Sequence, residues 1–223
     1  MPPNSPHAPP RHAPRRLVVA TSNAGKLREF RSLLEGVHVA GAPYELVSLA
    51  DVGVASPEES GSSFLANAVL KARHAASLSG EAALADDSGL EVDALDGAPG
   101  IYSARYAAGG QQPGQSMDAA NNAKLLRELA GVPWEHRTAR YRCALVLIDA
   151  RLDAPLIAED TWEGYVLDAP QGTGGFGYDA YFWLPGLQLT AAQLSSEDKN
   201  RLSHRGKAMR ALRDMLLSRD VTQ

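Results

Sequence analysis

The chain has one cysteine in 223 residues, Cys143, so no disulfide can form within it and no cysteine-based zinc spacing exists. That thiol lies in the apolar run Cys143-Ala144-Leu145-Val146-Leu147-Ile148 and reads as an inert core group. A reducing, cytoplasmic setting fits it. There is no HExxH pair, and the Ser, Cys and His residues form no coherent nucleophilic triad. No apolar run approaches the length of a bilayer span, so no membrane partner is expected. Positive charge is also scarce: 22 Lys and Arg stand against 26 Asp and Glu, a net of -4. Proteins that hold nucleic acid through bulk electrostatics usually carry the opposite balance, so no nucleic-acid partner is expected and any phosphate binding has to be local.

What is present fits one α/β core. Residues 1–16 hold six prolines, two histidines and three arginines, with almost nothing to bury. Residues 1–15 therefore read as a disordered tail without the apolar stretch of a secretory signal. A single domain is expected over residues 16–218, with residues 219–223 frayed. No internal repeat is visible.

Leu17-Val18-Val19-Ala20 is strand-like and delivers Thr21-Ser22-Asn23-Ala24-Gly25-Lys26 into a helix with Leu27, Phe30 and Leu34 on one face. A short strand is expected within residues 45–51. After the acidic turn Ser56-Pro57-Glu58-Glu59-Ser60-Gly61, residues 63–77 read as a helix. Its apolar stripe is Phe64, Leu65, Ala68, Val69, Ala72 and Ala76, and Asn67, Lys71 and His74 make a separate polar stripe. Residues 82–85 read as a buried strand that ends at Asp86-Asp87-Ser88-Gly89, and residues 117–129 as a helix. Residues 141–148 and 157–166 read as two longer strands, neighbours in the sheet. Residues 172–179 carry four glycines with two aromatics embedded, which suggests a lid. Thr190-Ala191-Ala192-Gln193 has capping-box spacing for a helix start, and a last helix follows Leu202-Ser203-His204-Arg205-Gly206. Alternating helices and short strands argue for α/β with a mixed sheet.

Several segments have both a structural and a chemical reading. Asp86-Asp87-Ser88-Gly89 is either a tight turn or a strand end that points a carboxylate into a crevice. Thr21-Ser22-Asn23-Ala24-Gly25-Lys26 is either a helix cap or a phosphate cradle of hydroxyls, an amide and free backbone N–H groups, with Lys26 one turn in. It lacks the glycine and Ser/Thr positions of a Walker A loop. Glu59 and Asp87 are hard oxygen donors of the kind Mg²⁺ takes together with substrate phosphate, although acidic turns are commonly just solvated. Lys71, Lys199 and Arg205 are either surface charges or partners of Lys26 against a polyphosphate. Phe176 and Tyr178 either pack or stack on a planar base, and His204 either starts a helix or meets a ligand.

Taken together, residues 21–26, Glu58-Glu59-Ser60-Gly61, Ala85-Asp86-Asp87-Ser88-Gly89-Leu90, residues 97–106, residues 174–179 and Ser203-His204-Arg205 closely resemble, in order and wording, the inosine triphosphate pyrophosphatase family. These enzymes are also called dITP/XTP pyrophosphatases. The similarity runs from Arg16 to about Leu217. It implies an α/β fold with a long central mixed sheet flanked by helices, two lobes with a nucleotide cleft between them, and a homodimer. It also implies Mg²⁺-dependent hydrolysis of ITP, dITP and XTP to the monophosphate and pyrophosphate. Carried over by position, Thr21, Ser22, Asn23, Ala24, Gly25 and Lys26 would bind the triphosphate, with Lys71 offsetting its charge. Asp87 would be the general base or metal-linked carboxylate, and Glu59 would help hold Mg²⁺. Ser88 would contact substrate, Phe176, Gly177, Tyr178 and Asp179 would enclose the base, and Lys199 would reach the nucleotide. His204 and Arg205 would read the 6-oxo edge of the purine. Ser22 stands where the family often has glycine. By this reading Asp86 only shapes the turn. The competing readings are a nucleotide sensor that does not hydrolyse and an enzyme acting on another phosphorylated ligand.

Overall fold

The structure, a computed structural model, describes residues 15–21, 23–34, 38–39 and 42–220. Nearly all of the expected tail, and Ser22, lie outside these residues. Eight strands form one mixed sheet: β1 (Arg15–Val19), β2 (His38–Val39), β3 (Ala42–Ser48), β4 (Ala82–Val92), β5 (Thr138–Ile148), β6 (Leu156–Val166), β7 (Phe182–Leu184) and β8 (Leu189–Thr190). Their order is β2-β3-β1-β4-β5-β6-β7-β8. β1 is parallel to β3 and β4, and every other pairing is antiparallel. The helices are α1 (Ala24–Leu33), α2 (Phe64–Ser79), α3 (Met117–Glu128), α4 (Ser196–Leu202) and α5 (His204–Asp220). None of the described helices is long and apolar enough to cross a membrane.

Side-chain alternation along the strands sorts the core by face. Leu17, Val19 and Leu84 point to one side, where Phe30 of α1 and Ala208, Met209, Leu212 and Leu216 of α5 cover them. Val18, Ala83 and Ala85 point to the other, where Phe64, Ala68, Ala72 and Ala75 of α2 cover them. A third cluster gathers Leu90, Tyr141, Trp162, Tyr178 and Phe182 with Leu125 of α3 and Leu129, the residue that caps its end. Full burial of a ring such as Phe30 contributes about 1.5–3 kcal/mol over leaving it exposed.

Local chemistry explains the element starts. Asn23 caps α1, its side chain accepting from the Lys26 N–H at 3.1 Å. Ser63 caps α2 in the same way, and Gly80 ends it in the left-handed conformation. Ser203 Oγ accepts from the Gly206 N–H at 3.2 Å in the first turn of α5.

Three expectations need correction. β4 does not end at the Asp-Asp pair: Asp86, Asp87, Ser88 and Gly89 continue the strand, paired with Leu145, Ala144, Cys143 and Arg142 of β5. Turn chemistry is overridden there because cations from distant helices meet both carboxylates. Thr190 and Gln193 do make a capping box, but it opens only the 3-10 turn Ala191–Gln193, and α4 starts afresh at Ser196. The Asn67 and Lys71 stripe of α2 is buried, while His74 leaves it to lie 2.9 Å from the Ala55 carbonyl.

Candidate active site

Adjacent residues of a strand leave on opposite faces, and the Asp pair of β4 follows this rule. Asp87 turns towards α2. Lys71 Nζ lies 2.7 Å from its Oδ1 and Asn67 Nδ2 donates to its Oδ2 at 3.2 Å. Residues 67 and 71 are one helical turn apart, so one face of α2 delivers both. Lys71 Nζ also reaches Glu59 Oε1 at 3.0 Å, so one lysine joins two carboxylates. Asn67 Oδ1 accepts from the Gly61 N–H at 2.7 Å, which ties the acidic turn to the same helix. Arg105, from the 3-10 segment Gly100–Arg105, pairs with the other Glu59 oxygen. That segment packs closely on β4: a Cβ at Gly89 would stand 2.4 Å from Ser103 Oγ and 2.5 Å from the Gly100 carbonyl.

Burial pushes the Asp87 carboxyl above its ordinary value, and the nearby Glu59 charge adds to this against the pull of Lys71. Burial acts on Glu59 too, but Lys71 and Arg105 outweigh it and hold that carboxyl low. Lys71 is raised despite burial, because Asp87 and Glu59 favour its charged form.

Asp86 turns the other way, towards α1 and α5. Lys26 Nζ stands 2.6 Å from its Oδ2 and Arg205 Nη2 3.4 Å from the same oxygen. The Cys143 thiol donates to Oδ1 at 3.2 Å. Burial alone would raise this carboxyl, yet Lys26 and Arg205 hold it well below the usual carboxylate range. Arg205 also donates to Ser88 Oγ at 2.9 Å and pairs with Glu29 of α1. Lys199 of α4 lies 3.1 Å from Glu29 and 2.6 Å from Asp179. Asp179 in turn accepts from the Phe176 N–H at 2.8 Å.

Two adjoining cavities lie along this array. One, of about 530 Å³, is lined by Thr21, Asn23, Lys26, Glu59, Lys71 and Arg105. The other, about 140 Å³, is lined by Ser88, Tyr141, Phe176, Lys199, His204 and Arg205, with Gly177, Tyr178 and Asp179. Asn23, Lys26 and Ala104 line both. In the smaller cavity the His204 ring stacks on Tyr141, with centroids 4.8 Å apart and planes within 6°. Burial and then the Arg205 charge drive His204 well below its ordinary value, so the ring is neutral. His204 Nδ1 and Arg205 Nε are buried without a hydrogen-bond partner. Buried polar atoms are nearly always paired, and these two unpaired ones belong to residues that line the smaller cavity. Lys199 and Arg205 stand over the Phe176 ring, at 4.8 and 5.9 Å from its centre.

Most of the expected residues meet here, with changed duties. Asp86 does not shape a turn: it anchors Lys26 and Arg205. Asn23 is the helix cap and also lines both cavities. Ala24 is the first residue of α1. Lys199 and Arg205 are buried and ion-paired rather than surface charges, and they line the smaller cavity rather than the larger. Tyr178 is no open stacking platform, because its ring is buried and its hydroxyl donates to the Ser103 carbonyl at 2.8 Å. Asp87 is not among the residues that line the larger cavity and stands one contact behind Lys71. Cys143 is buried as expected, but its thiol serves the Asp86 cluster. Sequence reasoning missed Glu29, Arg105 and Tyr141. Glu29 lies three residues after Lys26 on the same helix face, which was an available signal. Tyr141 carried none, being one more apolar-run residue of a strand.

Two carboxylates with hard oxygens, joined by one lysine at a cavity wall, suit Mg²⁺ in the form where substrate phosphate and water complete the shell. Among the described residues no group of three or more His, Cys, Asp and Glu is placed to hold a metal by itself.

Known proteins share this sequence and arrangement. A protein of Thioalkalivibrio sulfidiphilus named dITP/XTP pyrophosphatase is 50% identical over 205 residues, which is 92% of this chain and 100% of that protein. One of the same name from Shigella flexneri is 48% identical over 202 residues, covering 90% of this chain and 98% of that one. The solved structure of a HAM1 protein from Coxiella burnetii superposes with a TM-score of 0.78 at 38% identity, covering 92% of this chain and 99% of that one. The Staphylococcus aureus Ham1 protein gives 0.77 at 35% identity, over 92% of this chain and 100% of that one. The sequence pattern of the Ham1 family spans residues 17–215, from the first core residues of β1 to the last turns of α5. With the pattern, the full-length relatives and the shared mixed sheet in agreement, the chain belongs to the Ham1 family.

Proposed function

We propose that this chain is a hydrolase that cleaves ITP, dITP and XTP to the nucleoside monophosphate and pyrophosphate; relatives 48–50% identical to it are named dITP/XTP pyrophosphatase. One observation carries the reading. Two lysines, Lys26 and Lys71, each paired to one of two adjacent carboxylates, line a cavity that runs into a smaller one with two unpartnered buried nitrogens. The triphosphate fits the larger cavity, where Lys26, Lys71 and Arg105 offset its charge. The base fits the smaller one, between Phe176 and the His204-Arg205 pair. The free Arg205 N–H donates to a 6-oxo oxygen, whereas the 6-amino group of adenine leaves that donor unpaired and costs affinity.

For the reaction, water adds to phosphorus as the bridge between the α- and β-phosphoryl groups breaks. The proton passes to a carboxylate and pyrophosphate leaves. Asp87, raised by burial, is the stronger base of the adjacent pair. It reaches water once Lys71 swings from Asp87 to the incoming phosphate. Glu59 and Asp87 would hold Mg²⁺, which when bound draws charge from the phosphate oxygens. We assign the activity to one domain, residues 16–218, with two lobes about the cleft, acting as a cytoplasmic homodimer.

The test is pyrophosphate release from a nucleotide panel with and without Mg²⁺. Release from ITP, dITP and XTP but scarcely from ATP or GTP supports the reading. Orthophosphate alone, or tight binding without product, sinks it in favour of another phosphatase or a non-hydrolytic sensor.

A further inference from the structure

α3 carries a short polar face at the edge of the smaller cavity, whose wall Asp118 joins. Asp118 and Asn122, one helical turn apart, grip both ends of residue Gly177. The Gly177 N–H donates to Asp118 Oδ2 at 2.9 Å, and Asn122 Nδ2 donates to the Gly177 carbonyl at 3.0 Å. The preceding N–H, of Phe176, is held by Asp179. Gly177 sits at a φ of +62°, a conformation glycine tolerates and other residues resist. Three hydrogen bonds therefore fix a two-residue bend whose side chain is the Phe176 ring. That ring fills the space over α1 that a side chain at Gly25 would need, since a Cβ there would stand 2.7 Å from Phe176 Cδ1.

We propose that Asp118 and Asn122 are positioning residues that clamp Gly177 and so hold Phe176 at the wall of the smaller cavity, setting how tightly the nucleobase is bound. The proposal rests on the nucleotide-hydrolase reading for its ligand, but the clamp itself does not. Each residue has one side-chain partner in the clamp, and neither touches the carboxylates or cations of the larger cavity. Releasing the clamp therefore loosens the base and leaves the reacting end in place. The adjacent Asn121 makes a separate set of bonds, accepting from the Ala107 N–H at 2.8 Å and donating to the Ser103 and Ala104 carbonyls. It holds the neighbouring segment and is left intact in the test.

The test compares wild type, Asp118→Ala/Asn122→Ala and Asp118→Asn in the full chain. The first readout is hydrogen exchange of a peptide spanning residues 174–178, without nucleotide. The double variant is expected to exchange there at least tenfold faster with unchanged exchange in β4 and β5, and Asp118→Asn, which keeps an acceptor oxygen, to stay near wild type. The second readout is steady-state hydrolysis of ITP. The double variant is expected to raise KM about tenfold with kcat within threefold, as loss of two modest hydrogen bonds implies. Unchanged exchange at residues 174–178 overturns the clamp. Faster exchange with unchanged KM overturns its role in binding the base. If wild type hydrolyses no nucleotide, the functional reading falls with the role in base binding, while the exchange result still decides the clamp.

Discussion

Asp86 and Asp87 are neighbours in β4 that serve opposite faces of the sheet, Asp86 bound to Lys26 and Asp87 to Lys71. A pair that looks redundant in sequence is thus divided between two sets of cations. Removing either charge has a different consequence. Asp86→Asn removes the carboxylate that Lys26 pairs with and leaves buried Arg205 with Glu29 alone, a defect that costs about 3–5 kcal/mol. Asp87 is less enclosed, and its loss is compensated for Lys71 by Glu59. The expected outcome is that Asp87→Asn lowers kcat by about 10²–10⁴ with a melting temperature close to wild type. Asp86→Asn instead lowers the melting temperature by about 10 °C or more. Thermal unfolding and ITP turnover measured on both variants check this, and equal effects of the two substitutions would refute the division of labour.

Gly25 gives a second, steric prediction. A methyl group there meets the Phe176 ring at 2.7 and 2.9 Å, so Gly25→Ala has to push the ring off the start of α1. Overpacking of this kind costs roughly 1–3 kcal/mol. Because Phe176 borders the smaller cavity, the expected signature is a raised KM for ITP with little change in kcat. A crystal structure of the variant should show the ring displaced. An unmoved ring with wild-type KM would remove Phe176 from the base site.

What the residues disclose locally and what they conceal divides along range of interaction. The face of Leu27, Phe30 and Leu34, the cap at Asn23, and the paired strands of residues 141–148 and 157–166 are short-range signals, and α1, β5 and β6 follow them. β4 conceals its course because Asp-Asp-Ser-Gly is strong turn chemistry. What keeps it in the sheet are Lys26, Lys71 and Arg205, 16 to 119 residues away from the carboxylates they pair with and invisible to any local window. The same cause hides the burial of Lys199 and Arg205, since a charge reads as surface until its partner's position is known. The spacing of Asn67 and Lys71 did announce a common face, though not that it turns inward onto Asp87.

Cys143 is expected to be unreactive in the native state. Its side chain is buried, burial pushes the thiol well above its ordinary range, and the Asp86 charge beside it opposes thiolate formation further. A disulfide reagent such as DTNB should titrate no thiol in the folded protein and one per chain in guanidinium. Cys143→Ala removes the Sγ–H donor to Asp86 and should cost about 1–3 kcal/mol, whereas Cys143→Ser, which keeps a donor, should cost less. Rapid labelling of the native protein would contradict the packing of β5 against Asp86.

His204 makes stability fall on the acid side. In the unfolded chain its imidazole takes up a proton near the ordinary value of 6.5, but in the folded state burial and the Arg205 charge keep it neutral to far lower pH. Below about pH 6.5 the unfolded state therefore binds one proton more than the folded state, and folding stability drops as pH falls. Above that value both states carry a neutral ring, and the group contributes no slope. The limiting slope is about 1.4 kcal/mol per pH unit, so acidification from pH 7 to pH 5.5 should remove about 1 kcal/mol through this residue alone. His204→Phe keeps a flat ring against Tyr141 and cannot titrate. Urea unfolding at both pH values is expected to show a loss in wild type that exceeds the loss in the variant by that amount. Carboxylates shared by the two proteins cancel in the comparison, so equal losses would mean that the ring is charged in the folded protein.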